Sequence, residues 1–131
     1  MKPLCFGLVL AALGGSAAAA WEPVGTGDDG MVVYADRATI RKSGDVVKMW
    51  VLLDYKTAQK DDSGKPYLSA KLLHDYDCKD ERGRTIYYSL HAGQRATGIL
   101  LYSEVRRDSE WLPSSRAIIG ETLWKIACGR N

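Results

Sequence analysis

The segment His74-Asp75-Tyr76-Asp77 holds the side chains of this sequence that could bind a metal ion or relay a proton. One imidazole and two carboxylates are suitable groups for either task. Successive residues of a strand point to opposite faces of the sheet, so both aspartates face one side and His74 the other. The pattern therefore predicts a partly buried, hydrogen-bonded histidine and no metal site.

A second candidate, the glycine-rich segment at residues 25–30, matches the G-x-G-x-x-G pattern of dinucleotide-binding loops. A helix follows the last glycine in such loops, but residues 31–34 are of types typical of a strand. Asp28 and Asp29 would also stand where a pyrophosphate needs N–H donors. We therefore predict that the protein binds no nucleotide and needs no cofactor.

Motifs of covalent catalysis are absent from the sequence as well. It contains neither a G-x-S-x-G nucleophile elbow nor an S-x-x-K motif. The formal net charge of +2 is close to neutral, whereas a nucleic-acid partner requires a strongly basic face. The sequence predicts a protein that is not an enzyme and does not bind nucleic acid.

The first twenty residues are typical of a cleavable signal peptide. Lys2 precedes an apolar run at residues 4–13, and four alanines end at Ala20, where an A-x-A cut would leave Trp21 as the first residue. The run is too short to cross a bilayer, which takes about 20 residues. A lipoprotein signal would carry its cysteine after this run, whereas Cys5 precedes most of it. We therefore expect an exported chain in the periplasm or at the cell surface.

Removal of residues 1–20 leaves residues 21–131, a length that suits a single domain with one core. No later apolar stretch is long enough to be a membrane span. Cys5 is lost with the signal peptide, so Cys78 and Cys128 remain. An even pair of cysteines in an exported chain predicts a disulfide between them.

Most of the domain is predicted to form strands. The most regular alternation is at residues 46–55, where one face is apolar throughout (Val47, Met49, Val51, Leu53 and Tyr55). Further strands are predicted at residues 67–78, 85–92 and 98–105. Short polar turns join them, which implies antiparallel pairing, because parallel strands need a crossover of a dozen or more residues.

The C-terminal segment instead has helical periodicity, with apolar residues at Ile119, Leu123, Ile126 and Ala127. Ser114 or Ser115 can cap its start and Gly129 its end. On an ideal helix, Cys128 lies about 180° from Ile119. Cys128 therefore reaches a partner only if the helix ends there, as Gly129 favours, or if the buried stripe widens to include Trp124.

These elements predict an α+β fold: an antiparallel sheet of five or six strands with one C-terminal helix packed on it. A single helical turn is also predicted at residues 36–40, with Asp36 as its cap. Trp50 lies on the mixed face of its strand, so we expect it to be half-buried under the helix or a loop.

The aromatic residues, seven Tyr and four Trp, exceed what a core of this size needs. Several should therefore face solvent, where such side chains favour protein binding, with Tyr87 and Tyr55 as candidates. The mixed charges at residues 79–84 predict a solvated hairpin tip, with polyanion binding as the alternative.

An ordered set of motifs along residues 21–131 resembles the surface-adhesin protein E family of Gram-negative bacteria. The set comprises Trp21-x-x-Val24, Tyr34-x-Asp36-x-x-Thr39-Ile40, Val47-x-x-Trp50, Asp54-Tyr55, Tyr67-x-Ser69-x-Lys71, Asp77-Cys78, Trp111, Glu121, Leu123 and Cys128. The resemblance implies an antiparallel sheet backed by a C-terminal helix, with the cysteine bridge tying the helix to the sheet. It also implies a non-enzymatic role in binding host extracellular-matrix proteins.

Three functions remain open at this point. The first is an exported, adhesin-like domain that binds a protein partner through exposed aromatics and sheet edges. The second is a periplasmic housekeeping or inhibitor protein that binds an envelope component. The third is a small hydrolase or metal protein, which the missing motifs disfavour. The sequence carries no signal for the oligomeric state.

Overall fold

The computed structural model describes residues 19–116 and 118–131, so nearly all of the predicted signal peptide lies outside the described residues. Within them, two short 3-10 turns at Asp28–Gly30 and Ser114–Arg116 accompany one α-helix, α1, at Ile118–Cys128. The strands are β1 (Glu22–Thr26), β2 (Val32–Ser43), β3 (Val46–Lys60), β4 (Pro66–Asp77), β5 (Arg82–His91), β6 (Leu100–Val105) and β7 (Leu112–Pro113).

The strands form one antiparallel sheet in the order β1-β2-β3-β4-β5-β6, so each strand pairs with its neighbours in sequence. The two-residue strand β7 pairs with β5 at Arg82 and Gly83. Gly44, with φ of 63°, supplies the left-handed conformation for the tight turn between β2 and β3. The predicted α+β fold is confirmed, with β7 as a short addition to the expected sheet.

The core lies between one face of the sheet and α1. Val47, Met49 and Val51 of β3 are completely buried, as the alternation of that strand predicted. They pack with Tyr76 of β4 and with the helix side chains Leu123, Trp124 and Ala127. The buried stripe of the helix thus includes Trp124, because the helix presents a broad side to the sheet.

Helix α1 ends where the sequence predicted. Gly129 has φ of 67°, and its N–H donates to the carbonyl of Ile126, while the N–H of Arg130 donates to that of Lys125. This pair of bonds is the Schellman arrangement, which terminates the helix at Cys128. Cys128 bonds to Cys78, just beyond the end of β4, so the disulfide ties the helix to the sheet across 50 residues of sequence.

The helical turn predicted at residues 36–40 is wrong, because these residues continue β2. Pairing with β3 shifts there from Asp36–Trp50 to Arg41–Lys48, which makes a bulge. The Asp36 carboxylate accepts the Ala38 N–H, as a helix cap would, but the Thr39 hydroxyl donates to the Asp36 carbonyl and accepts the Trp50 N–H. This link to β3 keeps the segment in the sheet.

Candidate functional site

The helix covers one face of the sheet, and Trp50 lies on the other face, since it alternates with the buried Met49 and Val51. Cross-strand pairing places Trp50 beside Leu73 of β4, Leu73 beside Tyr87 of β5, and Tyr87 beside Val105 of β6. A row of apolar and aromatic residues therefore crosses four strands.

This row forms the floor of a cavity of about 630 Å³, which we call the open-face basin. The loop after β5 folds over the neighbouring part of the same face. There the Arg95 N–H donates to the Asp54 carboxylate at 2.7 Å, and the Ala96 N–H donates to the Ser69 hydroxyl at 2.9 Å. The basin also contains the basic residues Lys48, Lys71, His91 and Arg107.

Trp50 is half-buried, as expected, but the prediction that the helix could cover it is wrong. Its ring meets Tyr87 edge-on, with the ring centroids 5.6 Å apart. The Nζ atom of Lys71 lies 4.5 Å from the Trp50 ring centroid, which is a cation–π contact. Trp50 is therefore held by a tyrosine and a lysine within the open-face basin.

The open-face basin carries positive charge that the protein does not neutralise. Lys48 pairs with Asp75 at 2.9 Å, but neither Lys71 nor Arg107 forms an ion pair within the described part of the chain. No described residue that lines the basin is acidic. Burial, and then the nearby charge of Lys71, lower the pKa of His91. These features favour an anionic ligand.

Beside the basin, strand β6 is the last strand of the sheet, and its outer side is unpaired among the described residues. Its large apolar side chains are open to solvent: Leu100 is 54% exposed and Val105 58%, and Ile99 just before the strand is 73% exposed. Tyr102 is 45% exposed. We call these four residues the β6 edge. Proteins normally protect such edges with charged residues or short strands, so an apolar edge indicates a contact surface.

The candidate metal residues of the sequence point apart, as the strand alternation predicts. His74 lies on the helix side, where its Nδ1 is 2.7 Å from the Tyr76 hydroxyl. Asp75 pairs with Lys48 and Arg84, and Asp77 pairs with Arg82. No cluster of His, Cys, Asp or Glu among the described residues could hold a metal ion.

Both arginines of the hairpin between β4 and β5 are paired with carboxylates within the protein. Arg82 pairs with Asp77 at 2.9 Å and Arg84 with Asp75 at 3.3 Å. Both guanidinium groups also lie over the Trp111 ring, at 5.1 and 4.4 Å from its centroid. This neutralised cluster contrasts with Lys71 and offers a polyanion little free charge.

The model of the surface-adhesin protein E family matches residues 21–129. The chain belongs to the surface-adhesin protein E family. This membership indicates an exported protein of adhesin-like character. None of the helices among the described residues is long and apolar enough to cross a membrane.

Two solved structures from the bacterium Haemophilus influenzae share the fold of this adhesin E domain. Protein E in crystal form II is 8% identical, with a TM-score of 0.64 over 87% of this chain and 91% of that chain. Protein E from the non-typeable bacterium is 7% identical, with a TM-score of 0.55 over 86% of this chain and 78% of that chain. At this identity the likeness shows the fold alone. Among curated proteins, none matches the chain.

Tyr87 and Tyr55, the two tyrosines that the sequence suggested would face solvent, are both partly buried in this adhesin E domain. Tyr87 lines the open-face basin, whereas Tyr55 packs edge-on against Tyr67 at 5.8 Å. The most exposed tyrosine is Tyr102 of the β6 edge, which sequence reasoning missed. Its apolar neighbours Leu100 and Val105 were the available signal, since they lie in the last strand predicted along the chain.

The partly buried His74 of this domain should make folding depend on pH. Burial lowers the pKa of His74 to about 4, an effect that Asp75 partly offsets. The unfolded chain, with an ordinary histidine pKa of about 6.5, then binds more protons between these two values. The free energy of unfolding should therefore rise with pH across this window, by up to about 3 kcal/mol.

Urea unfolding of the wild type and of His74→Gln, measured between the two pKa values, tests this expectation. The glutamine can still form a hydrogen bond to the Tyr76 hydroxyl but does not titrate. The free energy of unfolding of the variant should therefore rise much less with pH. An NMR titration that places the His74 imidazole near its ordinary pKa would contradict it.

Proposed function

We propose that this chain is an exported adhesin-type module that attaches to a host extracellular-matrix protein and performs no chemistry on it. Residues 1–20 serve as the signal peptide, and residues 21–131 act as a single domain displayed at the cell surface. Membership in the surface-adhesin protein E family supports the attachment role. The observation that carries the proposal is the apolar, unpaired β6 edge.

An extended segment of the partner can add to the sheet along the β6 edge. Main-chain hydrogen bonds to the free side of β6 would provide affinity, because they satisfy groups that are otherwise left to water. The exposed side chains of Ile99 and Tyr102 would bury apolar surface against the partner. Such a contact needs neither a cofactor nor a catalytic group.

Removing apolar surface from the β6 edge should weaken attachment without unfolding the domain. The double variant Ile99→Ser, Tyr102→Ser is expected to lower affinity for a matrix protein about tenfold or more, since each side chain buries an area worth over 1 kcal/mol. The matched control is Leu112→Ser. Leu112 is also an exposed apolar residue (41%) but lies in β7, at the other end of β5.

Surface plasmon resonance with immobilised laminin, fibronectin and vitronectin measures the effect, and thermal melts check the fold. Protease treatment of intact cells tests the surface location. Absence of saturable binding by the wild type, together with protection in intact cells, would favour the periplasmic alternative. Equal binding by the double variant and the wild type would remove the β6 edge from the contact.

A further inference from the structure

We propose that the open-face basin binds an acidic oligosaccharide. In this assignment Lys71 holds a carboxylate or sulfate group of the sugar, and the rings of Trp50 and Tyr87 support a sugar ring. The inference goes beyond protein attachment at the β6 edge, because its contacts are Lys71, Trp50 and Tyr87 instead of Ile99 and Tyr102, and its ligand has a different chemistry.

The charge of the basin is the first argument. Three neighbouring cations of the same face are matched by carboxylates of the protein: Lys48 and Arg84 by Asp75, and Arg82 by Asp77. Lys71 is partly buried, yet it makes only the contact with the Trp50 ring and no described ion pair. A lysine that loses part of its contact with water gains from a nearby counter-charge. A ligand that brings its own anion would supply one.

The aromatic floor is the second argument. Trp50 and Tyr87 stand edge to face, and each is partly buried, so the rings are held in place before a ligand arrives. Sugar rings have one face made of C–H groups, which packs on a flat apolar ring. The volume of about 630 Å³ lies in the usual range of small-ligand sites.

The backbone beneath the basin argues for a sugar and against a peptide. Strands β3, β4 and β5 are paired on both sides, so their N–H and C=O groups at the floor are already satisfied. A peptide lying there would bury its own amides without main-chain partners, which is unfavourable. Sugar hydroxyls can instead pair with side chains such as Ser89 and His91, which lie at the basin wall and 2.8 Å from each other.

An NMR titration of the chain without its signal peptide tests the assignment. The probe is a heparin-derived hexasaccharide, which carries sulfate and carboxylate groups. We expect the indole N–H signal of Trp50 to shift on titration, while that of Trp124, buried under the helix, stays in place. High salt should weaken binding, because it screens the contact with Lys71. Lys71→Gln should lower the affinity about tenfold.

Lys60→Gln is the control, since it removes the same charge from an exposed lysine at the end of β3, outside the basin. If Lys60→Gln lowered the affinity as much as Lys71→Gln does, binding would depend on general charge attraction, and the proposal would be overturned. The proposal would also be overturned if a neutral hexasaccharide bound as tightly as the acidic one. The same holds if a hexaglutamate peptide bound more tightly and shifted the same Trp50 indole signal. The β6 double variant should bind the hexasaccharide normally, which separates this result from the test of matrix-protein attachment.

Discussion

Replacing Trp124 with alanine should lower the free energy of unfolding by about 3–5 kcal/mol, the range for a large aromatic side chain lost from a core. Trp124 is 4% exposed and packs between the helix and the buried face of β3. Its indole N–H also donates to the Asp77 carbonyl at 2.8 Å, at the end of β4. The substitution therefore removes both a filled volume and a polar link between helix and sheet.

Urea unfolding of two further variants separates these contributions. Trp124→Phe keeps an aromatic ring but leaves the Asp77 carbonyl without its donor, so it should cost about 1–3 kcal/mol. Trp50→Ala should cost less than Trp124→Ala, because Trp50 is only half-buried on the open face. A Trp124→Ala protein as stable as the Trp50→Ala protein would contradict the assignment of Trp124 to the core.

Removing the disulfide is the other change with a large expected effect. Cys78 and Cys128 are 50 residues apart in sequence, so their bond restricts a long loop of the unfolded chain. Without the bond, the unfolded chain gains conformational entropy. This gain should lower the free energy of unfolding by about 4 kcal/mol for a loop of this length. The double variant Cys78→Ser, Cys128→Ser tests this without leaving a free thiol.

Unfolding curves with and without reductant provide the measurement. Reductant should destabilise the wild type to the level of the double variant and leave the double variant unchanged. Counting free thiols in the unfolded, unreduced wild type should find none once the signal peptide and its Cys5 are gone. If reductant left the unfolding curve of the wild type unchanged, the bridge would be absent or would not contribute to stability.

Several parts of the structure could be predicted from the sequence because their causes are local. The buried face of β3 follows from strict alternation through Val47, Met49 and Val51, and the end of α1 follows from Gly129, which adopts the left-handed conformation. The bridge followed from an even number of cysteines once export was assumed. In each case the residues that carry the signal lie within a few positions of the feature, or have one possible partner.

The turn at residues 36–40 shows where local signals mislead. Asp36 does cap the Ala38 N–H, which is the pattern that predicted a helical start. The conformation is decided by a hydrogen bond from another strand: the Trp50 N–H of β3 donates to the Thr39 hydroxyl. A contact with another strand thus overrode a correct local pattern.

By itself, the sequence determined the fold class, the buried face of β3 and the pairing of the two cysteines. Only the tertiary structure decided that Trp50, Leu73, Tyr87 and Val105 meet in one row and that Lys71 lies beside that row without a carboxylate partner. The reason is register. Bulges in β2, β3 and β5 shift the pairing of strands, and a shift of one residue moves every side chain to the opposite face. Such shifts depend on contacts between strands distant in sequence, which no periodicity within a single strand records.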